Sequence, residues 1–284
     1  MEKTITMHLL IKYFNNKKFA DEFVSGSLYM NSLNYFWNNG FDEQRDMFEG
    51  IVCEVPVNKI NVFPDPWPQM QASDYRFRAD GYSFCNVLCF EKLRFTASNE
   101  LVHADITDSM LKFGNSIVII HNEDEFVKRV YKAVRSNGFK YMCGEVRYHP
   151  QKKNGKTANE GIQTIFKSVE SQFDIDEVRN RFESVTNRDC FDKTDQYGNQ
   201  REWRIALYRG IKDTRAYRLE IGDISDIVTV CNSKNFHYTM QDVISEQGLN
   251  NYEGYRSNIG LNDFRRLFCD LGDNKASLIM TMGK

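Results

Sequence analysis

Short apolar runs separated by polar, turn-forming residues recur along the whole chain, and this pattern is typical of β-strands joined by tight connections. The most strand-like run of the first half is residues 82–90, where apolar residues follow one another almost without a break. Such a run predicts a strand that is buried on both faces at the centre of a sheet. The same criterion predicts further strands at residues 8–14, 27–30, 51–57, 116–120, 143–148, 216–221, 227–231 and 276–282.

Between several of these runs, apolar residues recur at helical spacing. The clearest case is residues 125–135, which have one apolar face and either Asn122 or Asp124 as the candidate N-cap. The strand, helix and strand succession from residue 116 to residue 148 is consistent with a parallel crossover. Further helices are predicted at residues 17–25, 162–173, 175–185, 240–247 and 261–271, and exposed loops at 64–68 and 151–160.

The organisation of the chain is simple, with no internal repeat, no long linker and no low-complexity tail. Its 284 residues, of which 41% are hydrophobic and 27% charged, are enough to bury a substantial core. We therefore predict a single α+β domain over residues 1–284.

Charge and targeting signals narrow the class of partner. The formal net charge of −2 gives no global electrostatic case for nucleic acid, although a local basic face would escape this count. No apolar run is long enough to span a bilayer and no signal peptide is recognisable, so we expect a cytoplasmic protein without a membrane partner.

The seven cysteines, an odd number without a C-x-x-C pair, are expected to be buried thiols.

Motif spacing gives no support to several common chemistries. The five histidines are scattered and form no H-E-x-x-H sequence, so no metal site is assigned. The chain has no G-x-S-x-G sequence, no Walker A sequence and no G-x-G-x-x-G after a strand, so neither a hydrolase elbow nor a Rossmann cofactor site is expected. Cys190 has no evident activating partner in the sequence, which leaves a nucleophilic role unsupported.

The stretch from Asn199 to Tyr208 is the strongest candidate for chemistry, because a polar, turn-rich segment runs there into an apolar strand. Gln200 and Glu202 are two residues apart, so in a strand both side chains would point to one face while Trp203 packs the other. One interpretation is a catalytic carboxylate beside a cationic sugar, with Gln200 orienting the substrate. The other is a surface strand whose charged residues pair with neighbouring strands.

Lys12 and Tyr13, at the end of the first predicted strand, are a second and weaker candidate. As structural residues they would pack or extend toward solvent at the strand end. As site residues they would hold a phosphate or a ribose.

Several of these motifs, taken in order, resemble a broad bacterial domain family with a late Glu-x-Glu or Gln-x-Glu motif. The family begins with a strand that has a lysine beside aromatic residues, followed by a Gly-x-Leu-Tyr strand and an aromatic segment with Asp and Glu after it. A middle strand ends in Cys-Phe-Ser. The last motif consists of a lysine, an aromatic residue and the sequence Glu-x-Glu-x-Arg. In this chain Glu91 replaces the serine of the middle motif. The matching residues are Lys12, Tyr13, Gly26, Leu28, Tyr29, Tyr35, Phe36, Asp46, Glu49, Cys89, Phe90, Lys193, Tyr197, Gln200, Glu202 and Arg204.

The same layout is similar to that of the ADP-ribosyltransferases, which bind NAD in a cleft between two sheets. This resemblance implies an α+β fold with two packed, split mixed sheets and flanking helices. It implies that Gln200 and Glu202 are catalytic, with Glu202 stabilising the positive charge on the ribose and Gln200 positioning the acceptor. Lys12 stands where the superfamily has His or Arg, with His8 as a less favoured substitute. Lys12 or Tyr13 would hold the diphosphate or ribose, and Tyr82 or Phe90 would stack on the nicotinamide.

The function implied by the resemblance is transfer of ADP-ribose from NAD, as substrate, to a macromolecular acceptor. The acceptor is a protein or a nucleic acid, and a toxin or antiphage effector of this kind would have an antitoxin or inhibitor as a partner. Two alternatives stay open. One is a catalytically inactive binding or inhibitor module of the same fold, favoured by the departures at Lys12 and Glu91. The other is an NAD glycohydrolase that uses water as the acceptor.

Overall fold

The computed structural model of the protein describes residues 5–38, 46, 49, 51–56, 72–97, 108–149, 190–247, 259 and 276–282. Several predicted elements lie outside these described residues: the loops at 64–68 and 151–160 and the helices at 162–173, 175–185 and 261–271.

Strands form most of the described structure. They are β1 (Ile5–Phe14), β2 (Ser27–Ser32), β3 (Ile51–Pro56), β4 (Ala72–Ala79), β5 (Asn86–Ala97), β6 (Ser116–Ile120), β7 (Lys140–Glu145), β8 (Arg147–His149), β9 (Asp192–Thr194), β10 (Glu202–Tyr208), β11 (Tyr217–Glu220), β12 (Val228–Asn232) and β13 (Ala276–Met282). The helices are α1 (Lys17–Val24), α2 (Leu33–Asn38), α3 (Asp108–Leu111), α4 (Glu123–Ser136) and α5 (Phe236–Gln247), with 3-10 helices at Asp80–Phe84, Asp195–Gln200 and Ser225–Ile227.

Most elements predicted within the described residues are confirmed, including the cap of α4, where the Asn122 side chain accepts a hydrogen bond from the Glu125 N–H at 3.0 Å. The strand predicted at 82–90 is displaced, because Asp80–Phe84 forms a 3-10 helix and β5 begins at Asn86. β4 was not predicted, because its strand signal is the alternation of Tyr75 and Phe77 with charged residues, whereas continuous apolar runs served as the criterion.

The strands build an α+β structure around one large antiparallel sheet. Its order is β11-β2-β5-β1-β6-β12, and β10 pairs with both β5 and β7. A smaller antiparallel sheet has the order β13-β4-β3. Among the described strands only β8 and β9 pair in parallel. The prediction of mixed sheets is therefore wrong for the two larger sheets.

The predicted parallel crossover between residues 116 and 148 is confirmed in direction, because the four antiparallel pairings from β6 through β1, β5 and β10 to β7 leave β6 and β7 parallel in one sheet, with three strands between them. β6 pairs with β1 and β12, whereas β7 pairs antiparallel with β10. The apolar pattern marks both segments as strands but carries no information about which neighbour each one chooses, and that choice decided the topology.

β5 is the strand on which the sheet opens. Along one edge it pairs with β10 from Asn86 to Glu91. Along its other edge, β1 pairs with residues 91–97 and β2 pairs with residues 86 and 87. In the described pairing, residues 88–90 of β5 therefore lie where β1 and β2 diverge, and we call this the sheet opening.

Three hydrophobic clusters cover the two faces of the large sheet. The first core lies under α1 and α4 and includes Phe90, Trp203 and Ile205, which confirms the predicted core role of the strand after Glu202. Since side chains alternate along a strand, Val87 of the second core and Leu9 of the third core lie on the opposite face. Glu91, Glu202 and Arg204 lie on that opposite face between the second and third cores, because they alternate with Phe90 and Trp203.

Candidate functional site

Glu202 is the first residue of β10 and lies beside Glu91 of β5 in the ladder. Trp203 points into the first core, so Glu202 and Arg204 point to the other face of the sheet. Both side chains are buried, with exposed fractions of 5% and 1%. A buried charge needs a partner of opposite sign, and the surrounding residues supply several.

Arg204 joins two acidic side chains. Its Nε atom donates to Glu202 Oε1 at 2.7 Å, and its Nη2 atom contacts the same oxygen. Its Nη1 atom donates to Glu49 Oε1 and to the carbonyl oxygen of Cys190. On the other side of Glu202, Lys193 Nζ lies 2.7 Å from Oε2. We call Glu49, Lys193, Glu202 and Arg204 the ion-pair network.

The ion-pair network keeps Glu202 negatively charged. Burial by itself opposes ionisation, but the Arg204 and Lys193 cations outweigh it and lower the pKa of Glu202 to about 2. In the same way burial disfavours the charged form of Lys193, yet Glu202 and Glu49 raise its pKa above the ordinary value. The site therefore holds a fixed anion between two fixed cations at neutral pH.

This pKa shift predicts an acid-dependent loss of stability. The pKa of Glu202 is about 2 in the folded protein against an ordinary 4.5, so its contribution is fully present above pH 4.5 and is lost as pH falls toward 2. Urea unfolding of the wild type and of Glu202→Gln at pH 7 and pH 3 measures the effect. We expect the wild type to lose more unfolding free energy than the variant. Equal losses would contradict the low pKa, because the remaining carboxylates are common to both proteins.

Gln200 lies in a 3-10 helix and not in the strand predicted for it, and it still contacts the ion-pair network. It ends the 3-10 helix Asp195–Gln200, and Arg201 has a left-handed backbone with φ 43°. Gln200 is thus outside β10, and the prediction that it shares a strand face with Glu202 is wrong, because the two-residue period holds only within a strand. Lys193 nevertheless brings the two together, with its Nζ atom 3.3 Å from Gln200 Oε1.

The backbone of Glu202 is fixed on both sides. Its N–H donates to the hydroxyl oxygen of Tyr148 at 2.8 Å, and its carbonyl accepts from the Val146 N–H at 2.8 Å. Burial and the nearby Glu202 charge raise the pKa of Tyr148 to about 12, so the phenol is neutral. Sequence reasoning missed Tyr148, because a three-residue strand gives no periodic signal.

Lys12 lies at the sheet opening. Its Nζ atom donates to the Cys89 carbonyl at 2.7 Å and lies 5.8 Å from the centroid of the Phe90 ring. Burial lowers the pKa of Lys12, while Cys89 and Glu202 oppose that change, so Lys12 and Glu202 interact electrostatically. Strand alternation places Lys12 on the face opposite Glu202, the same face as Leu10 of the first core.

Tyr13 belongs to a neighbouring group instead. Its hydroxyl donates to Glu91 Oε2, and Arg201 Nε donates to Glu91 Oε1 at 3.1 Å. Burial raises the pKa of Glu91, against the opposing effects of Tyr13 and Arg201. Glu91, the departure from the Ser of the family motif, is therefore the common partner of Tyr13 and Arg201.

The two predicted nicotinamide-stacking residues lie apart. Phe90 is in the first core, where its ring centroid is 5.5 Å from that of Phe126 and 5.7 Å from that of Trp203. Tyr82 is in the 3-10 helix before β5 and packs in the second core with Leu33. The structure does not bring Tyr82 and Phe90 together, and a stacking role for either one stays a prediction.

The late motif residues and Glu49 meet on this face of the sheet, whereas Leu28 and Phe90 lie in the first core on the other face. Besides the network itself, the Tyr197 ring centroid lies 5.2 Å from Lys193 Nζ. Burial is the main cause that raises the pKa of Tyr197, and the negative charge of Asp46 adds to it. Arg204 is the network residue that sequence reasoning undervalued. An arginine inside an otherwise apolar strand was the available signal, because such a charge is rarely buried without a partner.

Three general features of the described residues can be added to this description. No group of three or more His, Cys, Asp or Glu side chains among them is arranged to hold a metal ion. Within the same residues, no helix combines the length and the apolar character needed to cross a membrane. Cys85, Cys89, Cys143, Cys190 and Cys231 are free thiols. Burial, with a smaller contribution from the Glu202 charge, raises the pKa of Cys89 to about 12.

Comparisons of the chain with protein-family models, with curated proteins and with solved structures found no match. Function is therefore inferred from the residues of the site and from the resemblance described above.

Proposed function

We propose that the protein transfers ADP-ribose from NAD to a macromolecular acceptor, with Glu202 as the catalytic carboxylate. The observation that carries the proposal is the position of the Glu202 carboxylate, which is buried at the start of β10 and shares Lys193 Nζ with Gln200. A preorganised charge in a buried site stabilises a developing opposite charge far better than the same charge in water.

The reaction begins with cleavage of the bond between ribose C1′ and the nicotinamide nitrogen, and the electron pair of that bond leaves with nicotinamide. Positive charge grows on the ribose, as in glycoside cleavage. Glu202 stabilises this charge and accepts a hydrogen bond from the ribose 2′-hydroxyl. A lone pair of the acceptor then forms the new bond to C1′, and the proton of the acceptor goes to solvent. Gln200 orients that acceptor.

The sheet opening supports a split-sheet architecture of the ADP-ribosyltransferase type. It separates β1 from β2 on one edge of β5 and holds the half-buried ammonium group of Lys12. A cation at this position is suited to the diphosphate of NAD, which carries two negative charges. The proposed binding site therefore lies at the opening, with Lys12 toward the diphosphate and Glu202 toward the nicotinamide ribose.

One observation favours a second candidate, a binding or inhibitor module that has lost the reaction. Both carboxylate oxygens of Glu202 already accept hydrogen bonds, from Arg204 on one side and Lys193 on the other. Catalysis requires the ribose 2′-hydroxyl to join or displace one of these donors. If neither donor can be displaced from Glu202, the network is a buried structural element and NAD is bound without turnover.

Release of nicotinamide from NAD by the purified protein, with and without cell lysate, tests these alternatives. Turnover that depends on lysate and labels a macromolecule with ADP-ribose is the result we expect. Turnover without lysate would instead identify an NAD glycohydrolase. Absence of turnover under both conditions would contradict both enzymes and favour the binding module, whose affinity for NAD is then measured by calorimetric titration.

A further inference from the structure

Arg201 lies between Gln200 and Glu202, and its backbone adopts a φ of 43°. Among the described residues it is the one non-glycine residue with a positive φ. A side chain makes this conformation unfavourable, so it persists only where the surroundings hold it in place. Strained residues of this kind cluster at functional sites, which makes the reason for the strain informative.

Three contacts hold Arg201. Its carbonyl accepts a hydrogen bond from the Lys92 N–H at 2.8 Å, and its own N–H donates to the Gly198 carbonyl at 3.2 Å. Its guanidinium Nε donates to Glu91 Oε1 at 3.1 Å, where Glu91 is 1% exposed and also bonds Tyr13. Backbone and side chain of Arg201 are therefore attached to two consecutive residues of β5.

The left-handed backbone of Arg201 determines where the Gln200 side chain lies. Because Arg201 is left-handed, the chain leaves the direction of β10 and the Gln200 side chain turns back toward Lys193, 3.3 Å away. The same Lys193 binds Glu202. An extended residue 201 would place residue 200 on a continuation of the strand instead.

We infer that Arg201 is a positioning residue, which holds Gln200 in place and so favours transfer to a macromolecule over hydrolysis of NAD. The inference rests on the proposed function. Transfer and hydrolysis break the same bond to nicotinamide, and its electron pair leaves with nicotinamide in both. They differ in the atom that bonds C1′: an acceptor atom or the oxygen of water, each losing its proton to solvent. Loss of Gln200 positioning should therefore change the ratio of transfer to hydrolysis more than it changes the rate at which the bond to nicotinamide breaks.

The test measures total nicotinamide release and incorporation of labelled ADP-ribose into macromolecules in the same reaction. Arg201→Gly permits the left-handed backbone but removes its attachment to Glu91. Glu91→Gln keeps an acceptor for Tyr13 but removes the charge that holds Arg201. We expect both variants to lower the ratio of transfer to hydrolysis on the order of tenfold or more, since small displacements of reacting groups have effects of this size. Nicotinamide release should change little.

Arg215→Gly is the matched control, because this exposed arginine pairs with Asp213 away from the network, and its ratio should equal that of the wild type. An unchanged ratio in Arg201→Gly would overturn the inference. A parallel fall of both products, in proportion to the folded fraction, would show a purely structural role and also overturn it. If the wild type releases no nicotinamide at all, the proposed function fails and the inference fails with it.

Discussion

Replacement of Glu202 by glutamine is expected to lower the rate of nicotinamide release by about a hundredfold or more. Glutamine retains the size of the side chain but removes the negative charge opposite the cationic ribose. That charge is present at neutral pH in the wild type, because Arg204 and Lys193 hold the pKa at about 2 despite burial. The measurement is the initial rate of release at saturating NAD, expressed per folded molecule.

Glu49→Gln is the matched control for this experiment. Glu49 is also buried and contacts the same guanidinium group, that of Arg204. Its replacement removes an equal charge from the ion-pair network but leaves the Glu202 carboxylate in place. We expect most of the activity to remain per folded molecule. Comparable losses in the two variants would assign the effect to the stability of the network and remove Glu202 from the reaction.

The second large effect is expected on stability. Replacement of Arg204 by methionine fills a similar volume but leaves Glu49 and Glu202 without their shared cation in a buried site. Loss of one partner of a buried ion pair costs about 3–5 kcal/mol of unfolding free energy, because the remaining charge is left uncompensated. Urea unfolding followed by circular dichroism at neutral pH measures the change.

An exposed arginine on another strand provides the comparison. Arg218 of β11 is paired with Glu22 at the surface, where both side chains are partly exposed. Its replacement by methionine should cost less than about 1 kcal/mol, as is usual for surface ion pairs. The double variant Arg204→Met with Glu49→Gln should recover part of the lost stability, because it removes one of the two uncompensated carboxylates. Similar costs for Arg204→Met and Arg218→Met would contradict the role assigned to the network.

Local features of the sequence were sufficient for many of the individual elements. The apolar run at Ile117–Ile120 predicted β6, and the cap of α4 was narrowed to two residues, of which the structure selects Asn122, because strand formation and helix capping depend on residues close in sequence. Trp203 and Ile205 were placed in the core by alternation within β10. The candidate catalytic carboxylate was also singled out from its local setting.

Other features needed contacts between distant residues. Arg204 meets Glu49 across 155 positions of sequence, and Arg201 meets Glu91 across 110. Neither partnership follows from periodicity or composition. The left-handed conformation of Arg201 likewise depends on its attachment to β5, so Gln200 was wrongly assigned to the strand.

The sequence by itself thus determined that the chain forms an α+β protein rich in strands, where many of the described strands lie, and which carboxylate is the candidate for catalysis. Only the tertiary structure decided that the large sheet is antiparallel, that it opens between β1 and β2, and that Glu202 lies between two cations. The physical reason is the range of the interactions involved. Hydrophobic periodicity and capping act over a few residues, whereas strand pairing and the compensation of buried charge depend on which distant segments come together.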